Sequence, residues 1–209
     1  MKNCSEQACL HCAKGSFAFD FLLQEKNYFY VVCDVHPLIE GHLLIIPKRH
    51  VSCLAEYSIE EFLEFKQIYR QIACWLKKEY GPIATFEHGK IGQTVFHSHI
   101  HLLPFNGKVE KIIPEGNLYL QNIQNLEELI DIFHKQEKYL FLSINDEMWS
   151  VDVSLGCPRF FRDRFAQALG CKERGNWKEM RQNSKLLSIG YEDNKKCQKK
   201  YFSFSNFSA

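Results

Sequence analysis

The chain has 209 residues, and 45% of them are hydrophobic, which is enough apolar material for a substantial core. Its 26 Lys and Arg balance 25 Asp and Glu, so no global charge favours a nucleic acid or a membrane, and any anion site must be local. No apolar run reaches the roughly 20 residues that span a bilayer. The nine scattered cysteines and the lack of a secretory signal pattern predict free or metal-bound thiols in a cytoplasmic protein, with specialised export left open.

The first half of the chain has the pattern of an antiparallel sheet with one helix packed on it. Apolar and β-branched runs predict strands over 17–23, 28–33, 42–47, 83–86 and 95–103. Ser58 and Glu61 have the spacing of a capping box, and apolar residues then recur at helical spacing until Gly81 and Pro82. This stripe predicts the core face of a long helix.

The second half predicts a mixture of helices and strands that packs on the first half. Asn125 and Glu128 have the pattern of a helix start, and residues 139–144 and 148–153 predict a hairpin. Helices are expected from Pro158 to Gly170 and again after Asn176, while residues 194–209 are expected to be loose. No linker separates the halves, so the second half is expected to pack on the first. The predicted ranges are 1–107 for the first half and 108–209 for the extension.

The most informative segment is the run of alternating histidines at His97, His99 and His101. Its neighbours favour a strand, whose period of two places all three imidazoles on one face. Neutral imidazoles supply a nucleophile, metal ligands or proton donors near pH 7. The plain alternative is the polar face of an exposed strand, where three alternating histidines would be unusual.

This segment resembles the signature of the histidine triad (HIT) superfamily, and residues 92–95 are similar to that family's approach to the triad. A second similarity lies in residues 34–37 and 41–50, which resemble the family's strand and Pro-Lys-x-His turn. The resemblance spans about residues 9–105 and implies an α+β fold: a HIT-like antiparallel sheet with packed helices over 1–107, followed by a C-terminal α/β extension. Ser98 departs from the apolar residue usual in the family.

A C-x-x-C pair near the N-terminus is by itself equally consistent with a redox motif or two idle thiols. The resemblance adds partners, because zinc-containing HIT proteins and the related galactose-1-phosphate uridylyltransferases combine two such cysteines with two histidines. The four counterparts here are Cys9, Cys12, His50 and His97. Two thiolates and two imidazoles suit a closed, structural zinc site. The alternatives are cysteines retained without metal, or ligation by the neighbouring Cys4 or His11.

The resemblance also implies covalent catalysis by the middle histidine, His99, which would attack the α-phosphorus of a nucleotide. A nucleotidyl-histidine intermediate divides a difficult displacement into two easier steps. A backbone carbonyl near the third histidine is expected to orient the ring of the middle one. The third histidine would bond phosphate oxygens or the leaving group, and an upstream histidine matches a further active-site position. The implied catalytic set is His99, His101, His97 and His42.

Nucleotide-binding residues follow from the same resemblance. Gln93 and Thr94 are expected to donate to the phosphate oxygens. Asp34 matches the acid that accepts both ribose hydroxyls, although it is equally suited to shaping a turn. Glu87 and His88 stand where better-known members carry amides, so a different substrate choice is possible.

Arginines in the second half have two interpretations. Arg159, Arg162 and Arg164, with Lys172 and Arg174, have the composition of a phosphate-binding edge. The preferred interpretation is the exposed face of an amphipathic helix whose phenylalanines pack inward.

The resemblance therefore implies a HIT-type nucleotide hydrolase or nucleotidyltransferase. It would act at the α-phosphate of a nucleoside phosphoramidate or dinucleoside polyphosphate. The alternative is a nucleotide- or nucleic-acid-binding adaptor with a residual triad. The expected partners are a nucleotide substrate and a second copy of the chain in a homodimer; no membrane partner is expected, and no nucleic acid is indicated. The base and the leaving group stay open.

Overall fold

A single antiparallel sheet of eight strands organises the computed structural model, which describes residues 9–13 and 15–206. The strands are β1 (Leu22–Glu25), β2 (Phe29–Cys33), β3 (Leu43–Pro47), β4 (Ile83–Gly89), β5 (Ile100–Pro104), β6 (Leu120–Ile123), β7 (Tyr139–Ile144) and β8 (Glu147–Val151). Their spatial order is β1-β2-β3-β5-β4-β7-β8-β6. This arrangement confirms the predicted α+β class with an antiparallel sheet and packed helices.

The sheet continues across residue 107, the predicted boundary between the halves. Strand β4 pairs with β7 in a register that runs from Ala84 opposite Ile144 to Gly89 opposite Tyr139. The C-terminal extension therefore shares backbone hydrogen bonds with the first half. The boundary itself stays a prediction.

Five helices accompany the sheet in the described residues: α1 (Ile59–Tyr80), α2 (Glu127–Gln136), α3 (Phe160–Ala168), α4 (Trp177–Met180) and α5 (Ser184–Asn206). The predicted capping box is present, because the Ser58 hydroxyl accepts from the Glu61 N–H while the Glu61 carboxylate accepts from the Ser58 N–H. Helix α1 ends at Gly81, whose φ of 85° is easily reached only by glycine. Both predicted ends of this helix are confirmed.

Hydrophobic cores lie on both faces of the sheet. One core packs α1, α2 and α5 against the sheet and includes Phe65 and Trp75 of α1. The other packs Phe161 and Phe165 of α3 against Phe86 of β4. Because successive residues of a strand point to opposite faces, β4 contributes to both cores and is buried along its whole length.

Two strand predictions are wrong at their ends. Residues 17–19 form a 3-10 turn capped by Ser16, and the strand begins only at Leu22. The histidine strand begins at Ile100 and not at residue 95. The apolar residues of these segments lie outside the hydrogen-bonded ladder of the sheet. Strand propensity does not distinguish such positions from residues that pair within the ladder.

The prediction of a loose tail is also wrong for residues 194–206, which belong to α5. Asn194, Cys197 and Tyr201 are buried along one side of this helix, at helical spacing. A stripe of asparagine, cysteine and tyrosine is a weak hydrophobic signal, so the sequence pattern missed it. Residues 207–209 lie outside the described residues. Within the described residues, no helix has both the length and the apolar character that crossing a membrane requires.

Candidate active site

The three alternating histidines do not share one strand face as predicted. Only His101 lies within β5, where it pairs with Leu44 of β3 and Phe86 of β4. The preceding residues leave the ladder because the Ser98 N–H donates to the Val51 carbonyl at 2.7 Å. The Nδ1 of His97 lies 3.4 Å from the Cys9 sulfur, whereas the rings of the other two histidines are adjacent, with centroids 5.0 Å apart.

His99 is held with one ring nitrogen committed. Its Nδ1 lies 2.6 Å from the carbonyl oxygen of His97, and because a carbonyl can only accept, Nδ1 carries the proton. The neutral ring therefore has its lone pair on Nε2. Burial lowers the pKa of His99, which favours this neutral form. The aiming carbonyl belongs to the first histidine of the triad, whereas the resemblance implied one near the third.

A second chain of hydrogen bonds orders His42 and His101. The Leu38 N–H donates to His42 Nδ1 at 3.1 Å, so the proton of neutral His42 lies on Nε2. That nitrogen is 2.9 Å from His101 Nδ1, which must accept and leaves the proton of His101 on its own Nε2. Burial lowers the pKa of His42 to about 4 and that of His101 well below its ordinary value. Both rings stay neutral, and His101 stacks on Phe86 with centroids 4.2 Å apart.

The predicted metal ligands come together in a separate cluster. The side chains of Cys9, Cys12, His50 and His97 place one donor atom each within 4.8 Å of one another. Sulfur and Nδ1 atoms are 3.2 to 3.4 Å apart, near the roughly 3.5 Å that tetrahedral zinc bond lengths require. The Nε2 of His97 donates to the Pro47 carbonyl at 2.8 Å, which leaves Nδ1 free to ligate. The donor set therefore fits a tetrahedral metal ion.

Of the two competing ligands, His11 is described by the structure and is not part of this cluster. The ring of His11 lines a neighbouring cleft, with its centroid 5.1 Å from that of His99. Cys4 lies outside the described residues.

A cleft with a volume of about 70 Å³ opens beside His99. Its apolar lining consists of Leu10, Phe17, Ala18, Val35, Leu44 and Val95. Its polar and aromatic lining includes Asp34, His36, Thr94, His99, His101, Arg162 and Trp177. An apolar lining that carries a few polar groups is typical of small-molecule sites.

The cleft does not include every predicted binding residue. Gln93 is buried, and its amide nitrogen donates to the Ser52 carbonyl at 2.5 Å. This hydrogen bond ties the segment before the triad to the loop that follows β3. The predicted phosphate contact of Gln93 would have to use the remaining hydrogen of that amide.

Comparison with known proteins identifies the family. The HIT domain family model matches residues 18–107. An uncharacterized HIT-like protein of Chlamydia trachomatis is 36% identical over 94 residues, which cover 43% of this chain and 84% of that protein. The chain belongs to the HIT family. Membership places it in a class of nucleotide-binding hydrolases and transferases.

Other HIT proteins resemble the same part of the chain. The adenosine 5'-monophosphoramidase HNT1 of Saccharomyces cerevisiae is 34% identical over 102 residues, covering 47% of this chain and 63% of that protein. A zinc-bound histidine triad family protein from Mycobacterium smegmatis has 26% identity and a TM-score of 0.37, covering 50% of this chain and 80% of that one.

Behind the triad, this HIT protein has a buried polar network where the family usually has an apolar side chain. Ser98 donates to Oε1 of Glu87 at 2.8 Å, and the Leu54 N–H donates to the same oxygen at 3.0 Å. The hydroxyl of Tyr139, from the extension, donates to Oε2. Tyr57 completes the network through the Ser98 hydroxyl at 2.8 Å. Glu87 therefore supports the triad loop from inside the protein and does not line the cleft.

Burial dominates the electrostatics of this network. It raises the pKa of Glu87 to about 7, although the three donors lower it in part. The neighbouring His88 also points inward, where its Nε2 accepts from the Phe161 N–H at 3.3 Å. A direct effect of Glu87 or His88 on substrate choice, considered from the sequence, has no basis in these positions.

The sequence interpretation of the α3 arginines is wrong for Arg162, which is buried and not on an exposed face. Its Nη1 donates to Oδ2 of Asp34 at 2.6 Å, and Nη2 donates to the His36 carbonyl at 2.7 Å. Burial alone would raise the pKa of Asp34, but the charge of Arg162 and other donors bring it to about 2. Only the spacing of Arg162 relative to Phe161 and Phe165, which puts it near the buried side, could have indicated this position.

Asp34 consequently has both carboxylate oxygens engaged. Oδ1 accepts from the His36 N–H at 2.9 Å, which is the contact expected if Asp34 shapes a turn. Oδ2 accepts from Arg162. The predicted ribose contact would require hydroxyls to join or displace these partners.

Proposed function

We propose that this HIT protein is a nucleotide hydrolase or nucleotidyltransferase that acts at the α-phosphate of a nucleoside phosphoramidate or a dinucleoside polyphosphate. The observation that carries the proposal is the state of His99. Its Nδ1 is committed to the His97 carbonyl, and burial favours the neutral ring, so Nε2 is available as a nucleophile beside the cleft.

The chemistry follows from this arrangement. Nε2 of His99 forms a bond to the α-phosphorus while the bond to the leaving group breaks. The ring then carries a positive charge, which the hydrogen bond from Nδ1–H to the His97 carbonyl stabilises. Water or another acceptor attacks the phosphorus in the second step, breaks the nitrogen–phosphorus bond and restores the neutral ring.

His101 and His42 suit the role of a donor pair in both steps. The hydrogen bonds that start at the Leu38 N–H leave His101 with a proton on Nε2. Since His101 lines the cleft, this proton is available to phosphate oxygens or the leaving group. The proton of His101 stays on Nε2 as long as His42 is neutral and donates to His101 Nδ1. The lowered pKa of His42 keeps it neutral at neutral pH.

Zinc is the proposed occupant of the Cys9, Cys12, His50 and His97 cluster, in a structural role. When bound, zinc would supply cross-linking between the N-terminal segment and the triad loop. His97 links this site to the nucleophile, because its ring faces the cysteines while its carbonyl accepts from His99. The homodimer and the cytoplasmic location stay predictions.

The decisive experiment incubates the purified protein with adenosine phosphoramidate and labelled diadenosine polyphosphates, beside His99→Ala and the control His134→Ala. His134 is an exposed histidine of α2. We expect nucleotide release and a trapped nucleotidyl-protein with wild type and His134→Ala, and neither with His99→Ala. Turnover that depends on added phosphate would indicate transfer instead of hydrolysis.

Two results would count against the proposal. Undiminished release by His99→Ala would exclude His99 as the nucleophile. A folded wild-type protein that binds nucleotide but converts none of these substrates would favour the adaptor with a residual triad.

A further inference from the structure

A tryptophan of the C-terminal extension forms part of the cleft. Trp177 is the first residue of α4 and is half-buried, with its ring 5.7 Å from that of His36. Its Nε1 donates to Oγ1 of Thr94 at 3.0 Å, and both side chains line the same cleft as His99. A residue of the extension therefore contacts Thr94, three positions before the first histidine of the triad.

The direction of this hydrogen bond is set by chemistry. An indole N–H can only donate, so the Thr94 oxygen must accept. A hydroxyl has one proton, and the proton of Thr94 is then left to donate to something other than Trp177. An anion in the cleft is the natural acceptor, because the other charged groups of the lining are the ion pair of Asp34 and Arg162.

The position of Trp177 is held from both sides. Asn176 caps α4, its side chain accepting from the Lys178 N–H. At the other end of the helix, Met180 is fully buried. The charge of Lys178 lies 5.6 Å from the indole centroid, on a cation–π contact. The indole is thus a fixed donor.

We propose that Trp177 is a positioning residue, which orients the Thr94 hydroxyl toward the phosphate of the bound nucleotide, so that the extension completes the site. This inference rests on the proposed nucleotide function. A hydroxyl aimed in advance loses no orientation entropy when charge develops on the phosphate oxygens. Its contribution is therefore expected mainly in kcat and less in KM.

The test is a double-mutant cycle of Trp177→Phe and Thr94→Val, with Trp149→Phe as the matched control. Phenylalanine keeps an aromatic wall but removes the N–H. Trp149 also belongs to the extension, but it is buried in the core packed against α3. We expect Trp177→Phe to lower kcat by about 3- to 10-fold, as for one neutral hydrogen bond. The double variant should be no slower than Thr94→Val alone, and Trp149→Phe should stay within about 2-fold of wild type.

Three outcomes would overturn the inference: wild-type kcat in Trp177→Phe, a loss confined to KM, or multiplicative losses in the double variant. If wild type binds AMP without turnover, the proposed enzyme function fails. The same cycle is then measured as the Kd for AMP by calorimetry, with the same expectation of non-additive losses. Multiplicative or absent effects on Kd would overturn the inference independently. A protein that neither converts these substrates nor binds AMP would overturn both.

Discussion

The buried carboxyl of Glu87 predicts an unusual dependence of stability on pH. Its pKa is raised from 4.5 to about 7 in the folded protein, mainly by burial. Between these values the folded state binds more protons than the unfolded state. Glu87 therefore makes the protein less stable as pH rises through this window, in contrast to a carboxylate whose pKa is lowered by folding.

The magnitude follows from the two pKa values. At about 1.36 kcal/mol per pH unit, the full difference is about 3.4 kcal/mol. Between pH 5 and pH 8 about 2.5 kcal/mol of it is expressed, since the unfolded carboxyl is already largely ionised at pH 5. Glu87→Gln removes this titration and keeps the shape of the side chain. The hydroxyl of Tyr139, which now donates to Oε2, can rotate to accept from the new amide.

The assay is urea unfolding of wild type and Glu87→Gln at pH 5 and pH 8, at equal zinc concentration. The free energy of unfolding of the variant relative to wild type should increase by about 2.5 kcal/mol from pH 5 to pH 8. The buried histidines titrate in the same window, but their effect cancels in this difference. Glu110→Gln, at an exposed glutamate, is the control and should show no such increase. A relative stability of Glu87→Gln that is the same at both pH values would refute the reasoning.

Three further predictions concern the metal, the nucleoside and the hydrogen-bonded pair of His42 and His101. Cys12→Ser should abolish stoichiometric zinc, measured by atomic absorption, and lower Tm by at least about 5 °C. The control Cys74→Ser, at an exposed cysteine, should change neither the zinc content nor Tm. A Tm of the wild-type protein that does not respond to chelators would contradict a structural metal. Because Asp34 is already paired with Arg162, a 2'-deoxy substrate should lose less than about 10-fold in kcat/KM, and a larger loss would show that the carboxylate accepts the ribose hydroxyl. With a dinucleoside polyphosphate, kcat/KM should fall as the pH approaches 4 and should not lose half its value near pH 6.5. Near pH 4, His42, whose pKa is about 4, gains a proton and can no longer accept the hydrogen bond from the Leu38 N–H. A loss of half of kcat/KM near pH 6.5 would contradict a buried, neutral pair of His42 and His101.

Local patterns were sufficient for the parts of the fold that depend on neighbours in the chain. The capping box of Ser58 and Glu61 and the stop at Gly81 lie within a few residues of the backbone groups that they satisfy. The stripe that includes Phe65 and Trp75 has a period that only a helix can bury on one face. The histidine motif likewise indicated the family, because its spacing carries the chemistry.

The network around the triad was decided by the tertiary structure. Tyr139 reaches Glu87 because β4 pairs with β7, and Ser98 reaches it from the segment before β5, the other neighbour of β4. No short pattern contains all three residues. Arg162 meets Asp34 across 128 positions of the chain. Each pair is polar, and burying one partner alone would be costly, so the interior places them together.

The family and the elements with strong local periods were therefore predictable from the residues alone. The free ring nitrogen of His99, the partners of Asp34 and the residues of the extension that line the cleft, such as Trp177, depend on long-range packing. The physical reason is the range of the interactions. Caps and hydrophobic periods act over a few residues, whereas the partner of a buried polar group is set by which distant segments pack against it.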